Sequence, residues 1–450
     1  MSEKLDVYLD DETTLVGALR FDAGGNRESC SFEYAQQWLQ RPGRFKIDPE
    51  LPLVAGSQFP TKSKVSVFFG CIADSEPDGW AKLVIRRDRA KRRKDAAETG
   101  TDFENRQLTS FDYLSSVDDV SRIGALRLRD KEGSFVRPHR PGERAAPPIV
   151  QLDEIVRASR AVEAEIETAN DLRFLLGVGT SVGGMRPKAS VIDEDGALCI
   201  GKFPSVKDER SVVKGEVLAL RLAETAGIEA AASRVVNTDG GSAVAVIRRF
   251  DRSADGRLMY CSARTLLGVR DEDDHTYAEI AEAILMNGDR VESDLAQLWR
   301  RIVFNVLINN VDDHLNNHGF LHVANGRWRL SPAFDVNPFP DKAGVLKTWI
   351  SEEGNQASIE LAMSAAELFK LKLSRAKEIV GEVETAVSQW RTVARQKEVG
   401  MTAKESEAFE EAFEHEERNT ARRIAGLTTS KPGAGKNEEN EVTSPTVLRA

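Results

Sequence analysis

Between residues 309 and 320 the chain reads Asn309-Asn310-Val311-Asp312-Asp313-His314-Leu315-Asn316-Asn317-His318-Gly319-Phe320, and Ser331-Pro332-Ala333-Phe334-Asp335 follows shortly. Asp312 and Asn317 have the D-x-x-x-x-N spacing of a phosphoryl-transfer catalytic loop, and Asp335 falls where a second metal-binding carboxylate is needed. Transfer of a phosphoryl group to a hydroxyl needs neutralised phosphate charge, a metal held by oxygen ligands, and a carboxylate that orients or deprotonates the acceptor. In that scheme Asp312 handles the acceptor hydroxyl, Asn317 offers its amide oxygen to Mg²⁺, and Asp335 bridges Mg²⁺ to the phosphates of ATP. Alone, Asp312 reads as a helix-terminal acid and Asn317 as a turn residue. Their joint spacing is what points to chemistry. Asp313 is a second carboxylate beside Asp312, and the spacing to Asn317 favours Asp312.

A second chemical segment precedes the first, Gly177-Val178-Gly179-Thr180-Ser181-Val182-Gly183-Gly184-Met185-Arg186-Pro187-Lys188. Glycines let backbone amides approach phosphate oxygens, so Gly179, Thr180, Ser181, Val182, Gly183 and Gly184 form a candidate nucleotide cradle. It is not a Walker-A loop, because no Gly-Lys-Ser/Thr follows. Lys202, next to Gly201 on a predicted strand, is placed to contact the α/β-phosphates, and Glu216 on the following helix is its candidate ion-pair partner. His314, His318 and His322 are spaced four apart as in helical zinc sites. Gly319 and the predicted strand from Phe320 break that helix, so we expect no zinc and assign His314 to bracing the Asp312 loop by hydrogen bonding.

These residues need elements to hold them. Leu295, Leu298, Trp299, Ile302, Val303, Val306 and Leu307 form one apolar stripe at helical spacing that runs directly into the Asp312 loop. After the loop, two strand-like pieces flank Asn325-Gly326, a strong hairpin signal that brings Asn317 and Asp335 together. Upstream, strand-like stretches at 189–192, 197–203 and 243–247 and a helix over 213–226 predict a small sheet with one helix on it, the shape of a kinase amino-terminal lobe. Leu5-Val7-Leu9 alternation and 14–21 predict an opening hairpin. Ser75-Glu76-Pro77-Asp78-Gly79-Trp80 is turn chemistry entering a short helix over 80–85. Ser364 and Glu367 have capping-box spacing ahead of a helix marked by Ala376, Ile379, Val380, Val383, Val387 and Trp390. We expect an α+β, bilobal protein-kinase-like fold: a β-rich amino-terminal subdomain over 1–145 ending in a Pro-rich linker, a lobe with the Gly-rich loop over 146–255, a helical carboxy-terminal lobe over 256–427, and a disordered tail over 428–450.

Composition bounds the rest. With 41% apolar and 30% charged residues, the 450-residue chain reads as soluble and large enough for several domains. It has no apolar run of membrane-spanning length and no charged-then-apolar leader, and its four scattered cysteines suit a reducing compartment, so we expect a cytoplasmic protein without membrane contact. A net charge of −10 argues against a surface that wraps nucleic acid. One local exception is Arg86 to Lys94, where seven of nine residues are basic. Such a run suits DNA phosphates or an acidic protein, or is a solvated helix end running into a loop.

The chain resembles the HipA family of serine/threonine kinases, the toxin components of bacterial toxin–antitoxin pairs. The resemblance rests on Asp312-x-His314-x-x-Asn317 with Ser331-Pro332-x-x-Asp335, and on Thr180-Ser181-Val182-Gly183-Gly184-x-x-Pro187-Lys188. Pro77-Asp78-Gly79-Trp80, Ile123-Gly124-Ala125-Leu126 and Arg249-Phe250-Asp251-Arg252 add to it, in the family's order. It implies an ATP- and Mg²⁺-dependent kinase of cellular proteins such as aminoacyl-tRNA synthetases, with Ser181 as an autophosphorylation site, although Thr180 adjoins it. It further implies that Val246, Ile247 and Arg248 meet the adenine, that a small helix-turn-helix antitoxin is a partner, and that operator DNA is reached mainly through that partner. Two other readings use the same residues: a kinase of a lipid or small-molecule hydroxyl, and a nucleotide-binding regulatory subunit of a DNA-bound repressor complex.

Overall fold

The opening alternation forms β1 (Ser2–Leu9) and β2 (Leu15–Gly24), paired antiparallel as expected, and β3 (Arg27–Tyr34) extends them. The first long helix, α1 (Gly79–Thr99), is far longer than the sequence suggested, and carries the whole basic run. A strand from beyond it, β4 (Leu126–Arg129), completes the first sheet in the order β3-β2-β1-β4. Leu5, Val7, Leu19, Phe21 and Phe32 are buried on one face of that sheet, as period-two alternation requires. The computed structural model describes residues 1–25, 27–63, 65–136, 146–179, 184–269 and 273–427, with only the backbone of 177–179. The expected Pro-rich linker lies largely outside the described residues, as do Thr180, Ser181, Val182, Gly183 and the tail over 428–450.

Next come α2 (Leu152–Glu163) and α3 (Ala169–Gly179), the latter delivering the chain into the Gly-rich segment. A second antiparallel sheet follows, built from β5 (Lys188–Ile192), β6 (Leu198–Lys202), β7 (Ser233–Asn237) and β8 (Ala243–Arg248) in the order β5-β6-β8-β7. Helix α4 (Val212–Thr225) lies between β6 and β7 in sequence and contacts both β7 and β8. Three of the four strands and the helix match the expected lobe; β7, half-buried and mixed in composition, had no clear alternation to reveal it.

The carboxy-terminal lobe is organised by α5 (Tyr277–Asn287) and α6 (Val291–Leu307). The predicted stripe on α6 is buried along its whole length, and burying each such aliphatic or aromatic side chain is worth roughly 1.5–3 kcal/mol. Asp294, Arg300, Arg301 and Asn305 are buried too, so α6 is the central helix of the lobe and not a one-sided amphipathic one. This lobe also contains sheet structure: β9 (Tyr260–Ser262) pairs with β10 (Gly319–Ala324), which pairs with β11 (Arg327–Leu330) across Asn325 and Gly326, both at positive φ. The hairpin is therefore a primed turn, and Ser331 N donates to Gly319 O at 2.8 Å where its ends meet. The Ser364 capping box does not form. Ser358 instead caps the helix over Ile359–Ser364, and the next long helix, α7 (Leu373–Val387), begins later without a side-chain cap.

The first sheet's domain is bonded to the rest through two segments noted from the sequence. Asp251 accepts from Gly124 N at 2.7 Å and pairs with Arg249 and Arg252, while Arg249 Nη1 donates to Ser121 O at 3.0 Å. Burial opposes the charge on Asp251, but the two guanidiniums hold its carboxyl down at about 2. A third contact is aromatic: His322 on β10 stacks on Phe45, with ring centroids 3.6 Å apart. Burial pushes the His322 imidazole down to about 4. A histidine neutral in the native state and titrating near its ordinary value when unfolded leaves the unfolded chain with the extra proton between about pH 6.5 and 4. Stability is thus expected to fall as pH drops through that window, by roughly 1–2 kcal/mol after discounting for the ring's partial exposure. Chemical denaturation at pH 7 and pH 4.5 checks this, with His322→Phe expected to lose that part of the pH dependence.

Candidate active site

The second sheet, α4 and the segment after the hairpin meet at Lys202. Strand β6 points its ammonium inward, where Nζ lies 2.6 Å from Glu216 Oε1 on α4 and 2.6 Å from Asp335 Oδ1. Two carboxylates sharing one buried ammonium do not titrate alike. Burial opposes charge on Asp335, but Lys202 and then Lys188 hold its carboxyl well below the usual range. Glu216, sealed inside α4, is pushed up by burial despite Lys202. Burial also opposes charge on Lys202, yet the carboxylates raise it, so it is a permanent cation. Asp335 itself sits in left-handed backbone (φ 54°), a conformation that aspartate tolerates and bulky residues do not. The structure thus joins Lys202, Glu216 and Asp335.

The Asp312 loop starts from the end of α6. Asn309 adopts positive φ and Asn310 N donates back to Asn305 O at 2.8 Å, a Schellman-type stop that turns the chain out of the helix. The adjacent carboxylates then part. Asp313 is buried, and its Oδ2 accepts from Tyr277 Oη, from Asn305 Nδ2 at 2.9 Å and pairs with His318 Nε2 at 2.8 Å. Burial disfavours its charge, but His318 and the Tyr277 hydroxyl hold its carboxyl low. Its backbone carbonyl accepts from Thr348 N and Oγ1 at 3.1 and 2.8 Å. Oδ2 and the backbone carbonyl of Asp313 are thereby committed to structure. Asp312 is about half exposed, and its partners are the exposed Lys347 at 3.1 Å and Lys342 at 4.0 Å.

Among the described residues, the side chains that brace this loop are His318, Tyr277 and Asn305, with no hydrogen bond from the ring of the expected His314. The backbone carbonyl of His314 accepts from Asn317 N at 2.7 Å, and its ring is felt electrostatically by Asp313 and Asp335. The three histidines are dispersed: His318 on Asp313, His322 on Phe45, and His314 in the loop. Among the described residues no cluster of metal-ligating side chains forms. Asn317 is buried on the short turn Leu315–Asn317, beside Asp313 and Phe334 in a small internal cavity.

The Gly-rich segment re-emerges at Gly184, and Pro77-Asp78-Gly79-Trp80 acquires a purpose there. Asp78 caps α1 and also accepts from Gly184 N at 3.2 Å, while Trp80 N donates to Gly184 O at 3.0 Å. The start of α1 is docked on the end of the cradle. Gly184 has a φ of 109°, and a Cβ there would come within 2.3 Å of Lys188 Nζ. Lys188, the last residue of the Gly-rich segment, joins this cluster although its spacing gave it no role of its own. It pairs in register with Lys202, and its amine is pushed down to about 8 by burial and by Lys202. Strand β5 is buried at Lys188, Ala189, Ser190 and Val191 alike, so no alternation in the sequence set Lys188 apart. Val246 pairs with Gly201 and is buried with Ile247, whereas Arg248 is exposed and bonded to Asp195.

The basic run is helical, and most of it is matched internally. Arg87 pairs with Glu165, Arg92 with Asp88 and Lys91 with Asp95, while Arg89 donates to the carbonyls of Glu104 and Arg106. Arg86 and Arg93 line an open cleft with Phe103 and Tyr113.

A strand lysine gripped by a helix glutamate, facing an aspartate just after a hairpin of a helical lobe, sets the molecule in the protein-kinase-like class of α+β folds. The chain matches the model of the HipA-like C-terminal domain over residues 180–390 and that of the HipA N-terminal domain over residues 5–104. It belongs to the HipA family. Its fold resembles that of HipA from the Shewanella oneidensis complex of HipA, HipB and operator DNA, with a TM-score of 0.66 at 15% identity over 94% of this chain and 99% of that one. Curated relatives include a Haemophilus influenzae protein named "Putative kinase" (26% identical, covering 36% of this chain and 54% of that protein). Another is the Sinorhizobium fredii protein named "Putative kinase Y4dM" (26% identical, covering 54% of this chain and 64% of that protein). The chain thus spans between half and two thirds of the curated relatives it matches. Among the described residues, no helix is long and apolar enough to cross a membrane.

Proposed function

We propose that this protein is an ATP- and Mg²⁺-dependent serine/threonine protein kinase and the toxin of a toxin–antitoxin pair. The observation that carries the reading is Lys202 Nζ at 2.6 Å from both Glu216 and Asp335, because it assembles a phosphate-side cation and an ionised metal-binding carboxylate at one point. Asp335, kept anionic inside the cleft, and the buried Asn317 amide supply hard oxygen donors of the kind Mg²⁺ requires. They would hold that ion, whose bound charge would offset the phosphates. Lys202, Lys188 and the cradle from Gly179 to Gly184 would bind the phosphates, and Val246, Ile247 and Arg248 the base. Asp312 would orient the acceptor hydroxyl, which its exposure allows and the engagement of Asp313 does not. Family membership supports a helix-turn-helix antitoxin as partner, with operator DNA reached through it, and a cellular protein such as an aminoacyl-tRNA synthetase as substrate. Ser181 is the proposed autophosphorylation site.

Incubation of the purified chain with γ-labelled ATP, Mg²⁺ and cell extract tests the reading. Label on serine or threonine of extract proteins supports it. Label only in lipids or small molecules would move the acceptor to the alternative class, and ATP binding without transfer would leave a regulatory subunit.

Lys188 adds a pH signature. Phosphate affinity needs its ammonium form, and in the free protein that form declines as pH rises through about 8. ATP affinity is expected to weaken between pH 7 and 9.5, with a proton taken up on binding near pH 8–9. Calorimetric titration in two buffers of different ionisation enthalpy checks this, and Lys188→Gln should abolish the uptake.

A further inference from the structure

Among the described residues, both cations that reach Asp312 come from one stretch of chain, and its backbone is held to the Asp312 loop on each side of them. Lys347 N donates to Val311 O at 3.1 Å, and the next residue, Thr348, is bonded twice to Asp313 O. Upstream, Asn309 Nδ2 donates to Phe339 O at 2.6 Å and to Lys342 O at 3.0 Å. Thr348 also pairs in register with His275. The roots of both lysines are therefore fixed, while their side chains are 43% exposed at Lys342 and 60% exposed at Lys347.

Exposed ion pairs of this kind contribute about 0–1 kcal/mol, so fold stability does not account for two ammoniums gathered on this one carboxylate. In phosphoryl transfer through a loose transition state, charge resides on the equatorial oxygens of the moving group and little base strength is needed. A mobile ammonium on a fixed root beside the acceptor carboxylate suits that charge.

Building on the phosphotransferase reading, we propose that Lys347 is a catalytic residue that bridges Asp312 and the transferring phosphoryl group, with Lys342 as a weaker companion. In the step it serves, the bond from the γ-phosphorus to the β,γ-bridging oxygen breaks and its electron pair leaves with ADP. The acceptor oxygen forms the new bond to phosphorus, and its proton passes to Asp312. The Lys347 ammonium keeps its protons throughout and acts by charge alone. The distinguishing consequence is a fall in turnover at saturating ATP with little change in nucleotide binding.

The test uses the full chain, γ-labelled ATP with Mg²⁺ and cell-extract protein as acceptor, and a fluorescent trinitrophenyl-ATP to measure nucleotide Kd. Lys347→Met is expected to lower the saturated rate by about 100-fold while nucleotide Kd stays within about 3-fold, and Lys347→Arg to recover to within about 10-fold of the parent. Lys342→Met should cost about 5-fold or less. A Lys347→Met rate within about 3-fold of the parent overturns the proposal, as does a loss relieved by raising acceptor concentration, which would make the lysine an acceptor-docking residue. If Lys347→Met fails to fold, Lys347→Arg decides, because a folded arginine variant with a rate no better than about 1% of the parent also overturns it. A parent that transfers nothing sinks the phosphotransferase reading itself, whereas an active parent with an indifferent Lys347 sinks only this inference.

Discussion

Asp312→Asn is expected to lower phosphoryl transfer by about 10³-fold, within the 10²–10⁴ range typical of a lost acid–base or orienting group, while leaving nucleotide Kd and melting temperature nearly unchanged. The separation follows from where the two neighbouring carboxylates lie. Asp312 is about half exposed and, among the described residues, paired only with exposed lysines, so amide replacement removes little that holds the fold. Asp313 accepts from Tyr277 and Asn305 and pairs with His318 in the interior, so Asp313→Asn should instead destabilise the lobe. Labelled-ATP transfer and thermal melts on the two variants check this. A nearly full transfer rate in Asp312→Asn would overturn the acceptor assignment.

Lys202→Met is expected to produce the second large effect, and on two observables. The thioether conserves length but leaves Glu216 and Asp335 facing each other without their shared cation, and breaking a buried pair this way costs roughly 3–5 kcal/mol when both partners are sealed. Asp335 is about a third exposed, which places the expected loss at the lower end, near 2–3 kcal/mol. ATP affinity should fall by at least about tenfold as well, because the phosphate-side cation is gone. The double variant Lys202→Met with Glu216→Gln separates the effects. Removing one stranded carboxylate should recover much of the stability and none of the ATP affinity. Recovery of both would make the lysine a purely structural residue.

Legibility in the sequence tracked locality. The stripe on α6, the Asn325-Gly326 hairpin and the strands at 188–192, 198–202 and 243–248 were readable because apolar periodicity and turn chemistry act within a few residues. The extent of α1 was not. Its charged half has almost no apolar periodicity, and pairings such as Arg87–Glu165, Arg92–Asp88 and Lys91–Asp95 accommodate the charge. The contact of His318 with Asp313 was hidden for a related reason, since it depends on how the short turn over Leu315–Asn317 rotates that side chain inward.

By itself the sequence determined the residue types and order of the proposed phosphate-handling site, because Asp312, Asn317 and Asp335 stand at set distances along the chain and the hairpin between them is a local device. It also determined the family resemblance, through motifs spread from the first sheet to Asp335. Spacing favoured Asp312 over Asp313, but only the tertiary structure showed which of the two is buried and which exposed. That choice rests on Tyr277, Asn305, His318 and Thr348, whose approach to Asp313 depends on helix packing and a parallel bridge between distant segments. It likewise gave Asp251 its place at Gly124 and set Asp78 against Gly184, contacts across more than a hundred residues. Such contacts follow from the shape of the assembled core, which no short window of sequence encodes.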